Sequence, residues 1–113
     1  MAYRGTPLML VCFDVDGTLW TSNGPVTEAM LNQIELSPGG VVVIVSPSGA
    51  RPLGWKESIE GPARRDSLKS ASERWPRAVR LYVSDNNDQE EAEAAGYLYV
   101  DREIFAQMMR HSY

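Results

Sequence analysis

Two unbroken apolar runs, Leu8 to Phe13 (LMLVCF) and Val41 to Val45 (VVVIV), constrain this chain more than any other feature. A strand with one wet face alternates apolar and polar side chains. A run rich in β-branched residues with no alternation fits a strand covered on both faces, as in parallel sheets. Two further runs, Val79 to Val83 (VRLYV) and Tyr97 to Val100 (YLYV), extend the strand set. Between them lie segments with helical character: Thr27 to Leu36, with Met30, Leu31 and Ile34 on one side; Asp66 to Trp75; Gln89 to Ala95; and Glu103 to Arg110, with Ile104, Phe105, Met108 and Met109. Ser37-Pro38-Gly39-Gly40 ends the first, Pro76 follows the second, and Gly96 stands where a left-handed C-terminal cap belongs after the third.

Alternating strands and helices predict right-handed crossovers and a three-layer, doubly wound parallel α/β sheet of Rossmann-like type. Function in such sheets collects at the carboxyl ends of the strands. Those ends carry Asp14, Ser46, Ser84 with Asp85, and Asp101. In parallel strands these side chains converge on one edge.

At 113 residues, with 43% hydrophobic and 23% charged side chains, the chain has room for one domain, 1–113. A fold of this size buries roughly two-thirds of its unfolded surface, enough for a modest core without disulfide or metal staples. Cys12 stands alone inside an apolar run and reads as a buried thiol of a reduced protein. The N-terminal apolar run is too short for a membrane span and lacks a small-residue cleavage pattern, so a cytoplasmic protein with no membrane partner is expected. The net charge of -4 argues against non-specific coating of nucleic acid. The stretch from Arg51 to Arg80 is nevertheless locally basic and reads equally as a solvated face or as a rim that faces an anion.

The segment Phe13-Asp14-Val15-Asp16-Gly17-Thr18-Leu19 follows the first strand directly. An apolar strand running into Asp-x-Asp-Gly-Thr-Leu resembles the first motif of the haloacid dehalogenase superfamily of phosphatases and phosphotransferases. The resemblance implies a HAD-like fold and a phosphatase that works through an aspartyl-phosphate. Asp14 would be the nucleophile, and Asp16 would protonate the leaving oxygen and later take a proton from water. Gly17 lets the chain turn sharply out of the strand. Two carboxylates facing an anionic phosphate require a cation, and Mg²⁺ suits an all-oxygen setting. In the family the metal is held by the first Asp, by the main-chain carbonyl of the second and by an acidic residue of the last motif. Carried over, these are Asp14, Asp16 and Asp85.

The other motifs are carried over in the same way. Ser46, closing the second strand, matches the hydroxyl that binds a phosphate oxygen. Lys69 in Asp66-Ser67-Leu68-Lys69 resembles the Asp-x-x-Lys segment in the phosphatase domain of polynucleotide kinase/phosphatase enzymes, with Lys56 as the reserve. Ser84-Asp85-Asn86-Asn87-Asp88 and the Ala-rich helix after it resemble the acidic last motif, with Ser84 where many members have Asp or Gly and a short interval from Asp85 to Asp88. Asp88 reads either as a metal ligand or, with Glu91, as a helix capping box. Asp101 reads as a cap.

Leu19 to Val26 and Pro47 to Asp66 are too short for the cap domain that many family members insert, so an open site is expected. The expected substrate is a phosphomonoester, with a lean toward nucleotide or nucleic-acid ends from the Asp66-to-Lys69 resemblance, the basic stretch, and Trp55 and Trp75, which read as core or loop anchors or as groups able to stack on bases. Phosphoproteins and small phosphorylated metabolites stay open as substrates. The expected assembly is a monomer or weak homodimer. Two other classes compete: a HAD-like interaction or regulatory module with poor turnover, and a two-component receiver, which lacks Asp-Gly-Thr.

Overall fold

In the computed structural model the described residues are 9–46, 58–60 and 64–111. They form five parallel strands, β1 (Met9–Phe13), β2 (Gly40–Ser46), β3 (Ser58–Glu60), β4 (Val79–Ser84) and β5 (Leu98–Asp101), in the order β3-β2-β1-β4-β5. The helices are α1 (Glu28–Leu36), α2 (Arg64–Arg74), α3 (Gln89–Ala94) and α4 (Arg102–Arg110). Each apolar run of the sequence is a strand, and each helical segment a helix, to within two residues. β3 is an addition: only three residues long, it carries no run that separates it from a loop, and it pairs with β2 from Ile44↔Ser58 to Ser46↔Glu60.

β1 is central because both its neighbours use it. Met9 to Phe13 pair with Gly40 to Ile44 on one side and with Val79 to Val83 on the other. Side-chain alternation then sends each strand's residues to two separate cores. Val11, Phe13, Val42, Ile44 and Val83 meet Met30, Leu31 and Ile34 of α1 and Phe105 and Ala106 of α4. Leu10, Cys12, Val43, Val45 and Tyr82 meet Leu68 and Ala71 of α2 and Ala92 of α3. From β1 the chain first moves outward through α1 to β2, then returns through α2 and continues the opposite way through α3. Keeping one crossover hand while reversing direction puts α1 on one face and α2 with α3 on the other, which is the arrangement found.

The reversal has a location. Neighbouring strands β1 and β4 are where the order turns, and the crevice beyond their carboxyl ends is the switch point at which open α/β sheets bind ligands. With the three-residue edge strand β3 included, the order β3-β2-β1-β4-β5 differs from the 2-1-3-4-5 order of flavodoxin-like sheets.

Local chemistry sets the helix ends. The Thr27 hydroxyl accepts from the Met30 amide at 3.4 Å at the start of α1, and the Asp101 carboxylate accepts from the amides of Glu103 and Ile104 at the start of α4. Gly96 has φ 87° beyond α3, as its C-terminal position anticipated. In α4 the core side is Phe105, Ala106 and Met109, whereas Ile104 and Met108 are exposed. No described helix is long and apolar enough to cross a membrane.

Phe13 is fully buried and meets Phe105 edge-on, ring centroids 5.3 Å apart. Phe13→Ala should cost about 3–5 kcal/mol, read as a lower urea midpoint at unchanged slope; a loss under about 1 kcal/mol would mean that this core is not close-packed.

Candidate functional site

Asp14 is the first residue past β1, and its amide donates to the Val83 carbonyl of β4 at 3.1 Å, one rung beyond the regular ladder. That rung sets it beside Ser84, at the usual spacing of about 5 Å between paired strands. Alternation continues the row of Leu10 and Cys12, so Asp14 belongs to the face covered by α2 and α3. The residue is 6% exposed. A carboxylate so enclosed needs partners or a cation.

After Asp14 the chain makes a tight turn. The amides of Thr18 and Leu19 both donate to the Val15 carbonyl, Val15 is buried in the α1/α4 core, and Gly17 has φ 71°. Asp16 stands exposed at the tip. The stretch behind the turn is closed: Leu19 and Val26 form a parallel bridge, and Gly24 donates to the Leu19 carbonyl at 2.8 Å. A Cβ at Gly24 would lie 2.1 Å from the Thr18 carbonyl carbon, so only glycine fits.

Asp85 follows β4. Its Oδ1 accepts from the Asn87 amide at 3.0 Å and its carbonyl accepts from the Ser84 hydroxyl at 2.6 Å, which fixes the start of the turn into α3. Asp14 and Asp85 thus leave adjacent strand ends at the switch point. Asp88 departs from one of its two readings. Its side chain caps nothing; the backbone there is already near-helical, at φ -104° and ψ 8°, because a single 3-10 turn, Asn86–Asp88, runs straight into α3. Its Oδ2 accepts instead from the Tyr82 hydroxyl at 3.3 Å. No capping box forms.

Ser46 closes β2 at the same edge, paired with Glu60 of β3. Lys69 lies in the second turn of α2, on the face of the sheet that Asp14 shares, but its side chain is on the solvent side while Ser67 and Leu68 are buried. Helical side chains lean toward the N-terminus, which for α2 is the carboxyl edge of the sheet. Lys56 and Trp55 lie outside the described residues. Trp75 takes the anchor reading: it follows the C-terminus of α2 and precedes β4, which puts it at the amino edge, one strand length from Asp14. There it packs on the α2/α3 core with the Arg74 guanidinium 4.7 Å from its ring centre, so it is not a stacking group of this site.

Two residues were missed by sequence reasoning. Arg102, the first residue of α4, is half-buried and donates through Nη1 to the Gly17 carbonyl, 85 residues away. Tyr99 donates to the Ser84 carbonyl at 3.1 Å. Their only sequence signal is position, Tyr99 within the last strand and Arg102 just after it. A hydrogen bond from a charged donor contributes about 1.5–3 kcal/mol, so Arg102 is a substantial fastening of the Asp14–Thr18 turn.

The resemblance carried by the Asp14–Leu19 segment would have a divalent ion held by the Asp14 carboxylate, the Asp16 carbonyl and the Asp85 carboxylate, an oxygen-only set that would suit Mg²⁺. Among the described residues no three His, Cys, Asp or Glu side chains cluster at metal-binding separation; this set needs only two side chains, the third donor being backbone.

Burial pushes the Cys12 thiol from 9.0 up to about 12, despite its contact with the Tyr97 hydroxyl. Burial, then the carboxylates of Asp101, Asp85 and Asp88, push the Tyr99 phenol from 10.0 up to about 12, with Arg102 opposing. No family model matches the chain, and neither a curated protein nor a solved structure does.

Cys12 and Tyr99 stay protonated in the folded chain at pH values where the unfolded chain releases those protons. Their stabilisation is therefore full below about pH 9 and is lost as pH rises toward 12. Urea midpoints measured at stepped pH should fall over that window, and Tyr99→Phe should flatten the part above pH 10; an unaltered slope in the variant would contradict the assignment.

Proposed function

We propose that this chain is a magnesium-dependent phosphomonoester hydrolase of haloacid dehalogenase type, without a cap domain, acting through an aspartyl-phosphate on Asp14. The observation that carries this reading is the position of Asp14, just past the central strand at the switch point, with Asp16 two residues on at the tip of a glycine-containing turn. A strand end that fixes one carboxylate and a turn that exposes the next provide one group for attack and another for proton transfer.

In the first step an Asp14 carboxylate oxygen attacks phosphorus in line, the P–O ester bond breaks, and Asp16 gives its proton to the leaving oxygen. In the second, water attacks phosphorus, Asp16 takes a proton from it, and the acyl-phosphate bond breaks to release phosphate and restore Asp14. Asp14, the Asp16 carbonyl and Asp85 would hold Mg²⁺, which when bound offsets the negative charge shared by the carboxylates and the phosphoryl group. Ser46 donates its hydroxyl to a phosphoryl oxygen, and Lys69 adds positive charge from the α2 side.

The closed Leu19–Val26 loop supports an open site. For substrate, Lys69 and the basic stretch around it favour phosphorylated nucleic-acid ends; Trp75, at the far edge, adds nothing to that case.

Hydrolysis of an aryl phosphate should require Mg²⁺, stop on chelation and return on readdition. Asp14→Asn should reduce kcat by about 10³-fold or more, and Asp16→Asn by about 10²–10⁴-fold. Equal rates for wild type and Asp14→Asn would sink the proposal. A panel of 3′- and 5′-phosphorylated oligonucleotides, phosphopeptides and sugar phosphates then ranks the substrate classes.

A further inference from the structure

We infer that Arg102 is a positioning residue of this site, a strap that holds the Asp14–Thr18 turn so that Asp16 stands ready for proton transfer; the inference rests on the phosphatase reading. The strap is fixed at both ends. At its base, Asp101 accepts from the amides of Glu103 and Ile104, so the α4 start that carries Arg102 is set by its cap. At its tip, Nη1 donates to the Gly17 carbonyl.

Strand order gives the contact its reach. Since β5 and β1 flank β4, a side chain running from the start of α4 to the turn after β1 crosses the end of β4, where Ser84 and Asp85 lie. A Cβ at Gly17 would lie 2.6 Å from Nη1, so a larger residue there would push the guanidinium aside.

The consequence falls on Asp16. Its preceding neighbour, Val15, is held in the core and by two amides at its carbonyl; its following neighbour, Gly17, is held by Arg102. Without Arg102 the turn loses this outer bond, its inner bonds from the Thr18 and Leu19 amides to the Val15 carbonyl open more often, and the exposed tip can drift. A displacement of about 1 Å in a catalytic group costs on the order of 10²-fold in rate.

The test compares wild type with Arg102→Met, which keeps the stem and loses the donors, and Arg102→Lys, which keeps one charged donor. On an aryl phosphate with saturating Mg²⁺, Arg102→Met should lower kcat by about 10²-fold with KM within about threefold, and Arg102→Lys should recover about tenfold of the loss. Amide exchange at Thr18 and Leu19 should quicken by on the order of tenfold in Arg102→Met while the β2 amides stay as in wild type. Unchanged kcat per folded molecule, or a rise in KM alone, would overturn the catalytic claim. Unchanged exchange at Thr18 and Leu19 would overturn the strap itself. A wild-type chain that hydrolyses no phosphate ester would fail the phosphatase reading instead, and the exchange data would still decide whether the strap exists.

Discussion

Everything in this molecule depends on β1 being enclosed on all sides. Leu10, Cys12 and Phe13 have no exposed surface, β2 and β4 pair along both edges, and a separate core closes each face. At about 25 cal/mol per Å² of apolar surface buried, a strand so covered is held in register, because a slip of one residue would exchange its two faces. Asp14 inherits that certainty. A side chain placed immediately past the most constrained strand can be positioned with little help from its own turn.

The polar groups at the carboxyl edge extend the ladder rather than decorate it. Asp14 continues the β1–β4 pairing through its amide, Ser84 and Asp85 begin the turn into α3, and Asp101 both pairs with Ser84 and caps α4. Tyr99 and Arg102 then tie the outer strand end inward, to the Ser84 and Gly17 carbonyls. The outcome is a rim of carboxylates held by backbone bonds on a sheet edge, with a guanidinium laid across it.

Much of this was legible in the residues. The continuous apolar runs at Leu8 and Val41 announced strands covered on both faces, and the helices followed from the placement of Met30, Leu31 and Ile34 and from the glycine at position 96. The Asp-x-Asp-Gly-Thr turn could be placed because it follows a strand directly. What escaped was long-range. β3 is too short to have a pattern, and the Arg102 contact joins residues 85 apart. Asp88 failed as a cap because a 3-10 turn ahead of α3 had already placed it in helical backbone, a competition of local turns that spacing alone does not decide. Choosing between the anchor and stacking readings of Trp75 needed direction: its position in the chain says which helix it follows, and only the strand order says which edge that helix end occupies.

The closure at Gly24 bears on how this architecture can change. With the Thr18 backbone lying where any larger side chain would have to stand, and with Leu19 bridged to Val26 across the base, that loop has neither slack nor spare volume. Lengthening it would pull on the same turn that carries Asp16. Any roof over this edge would therefore have to come from another crossover or from a second polypeptide.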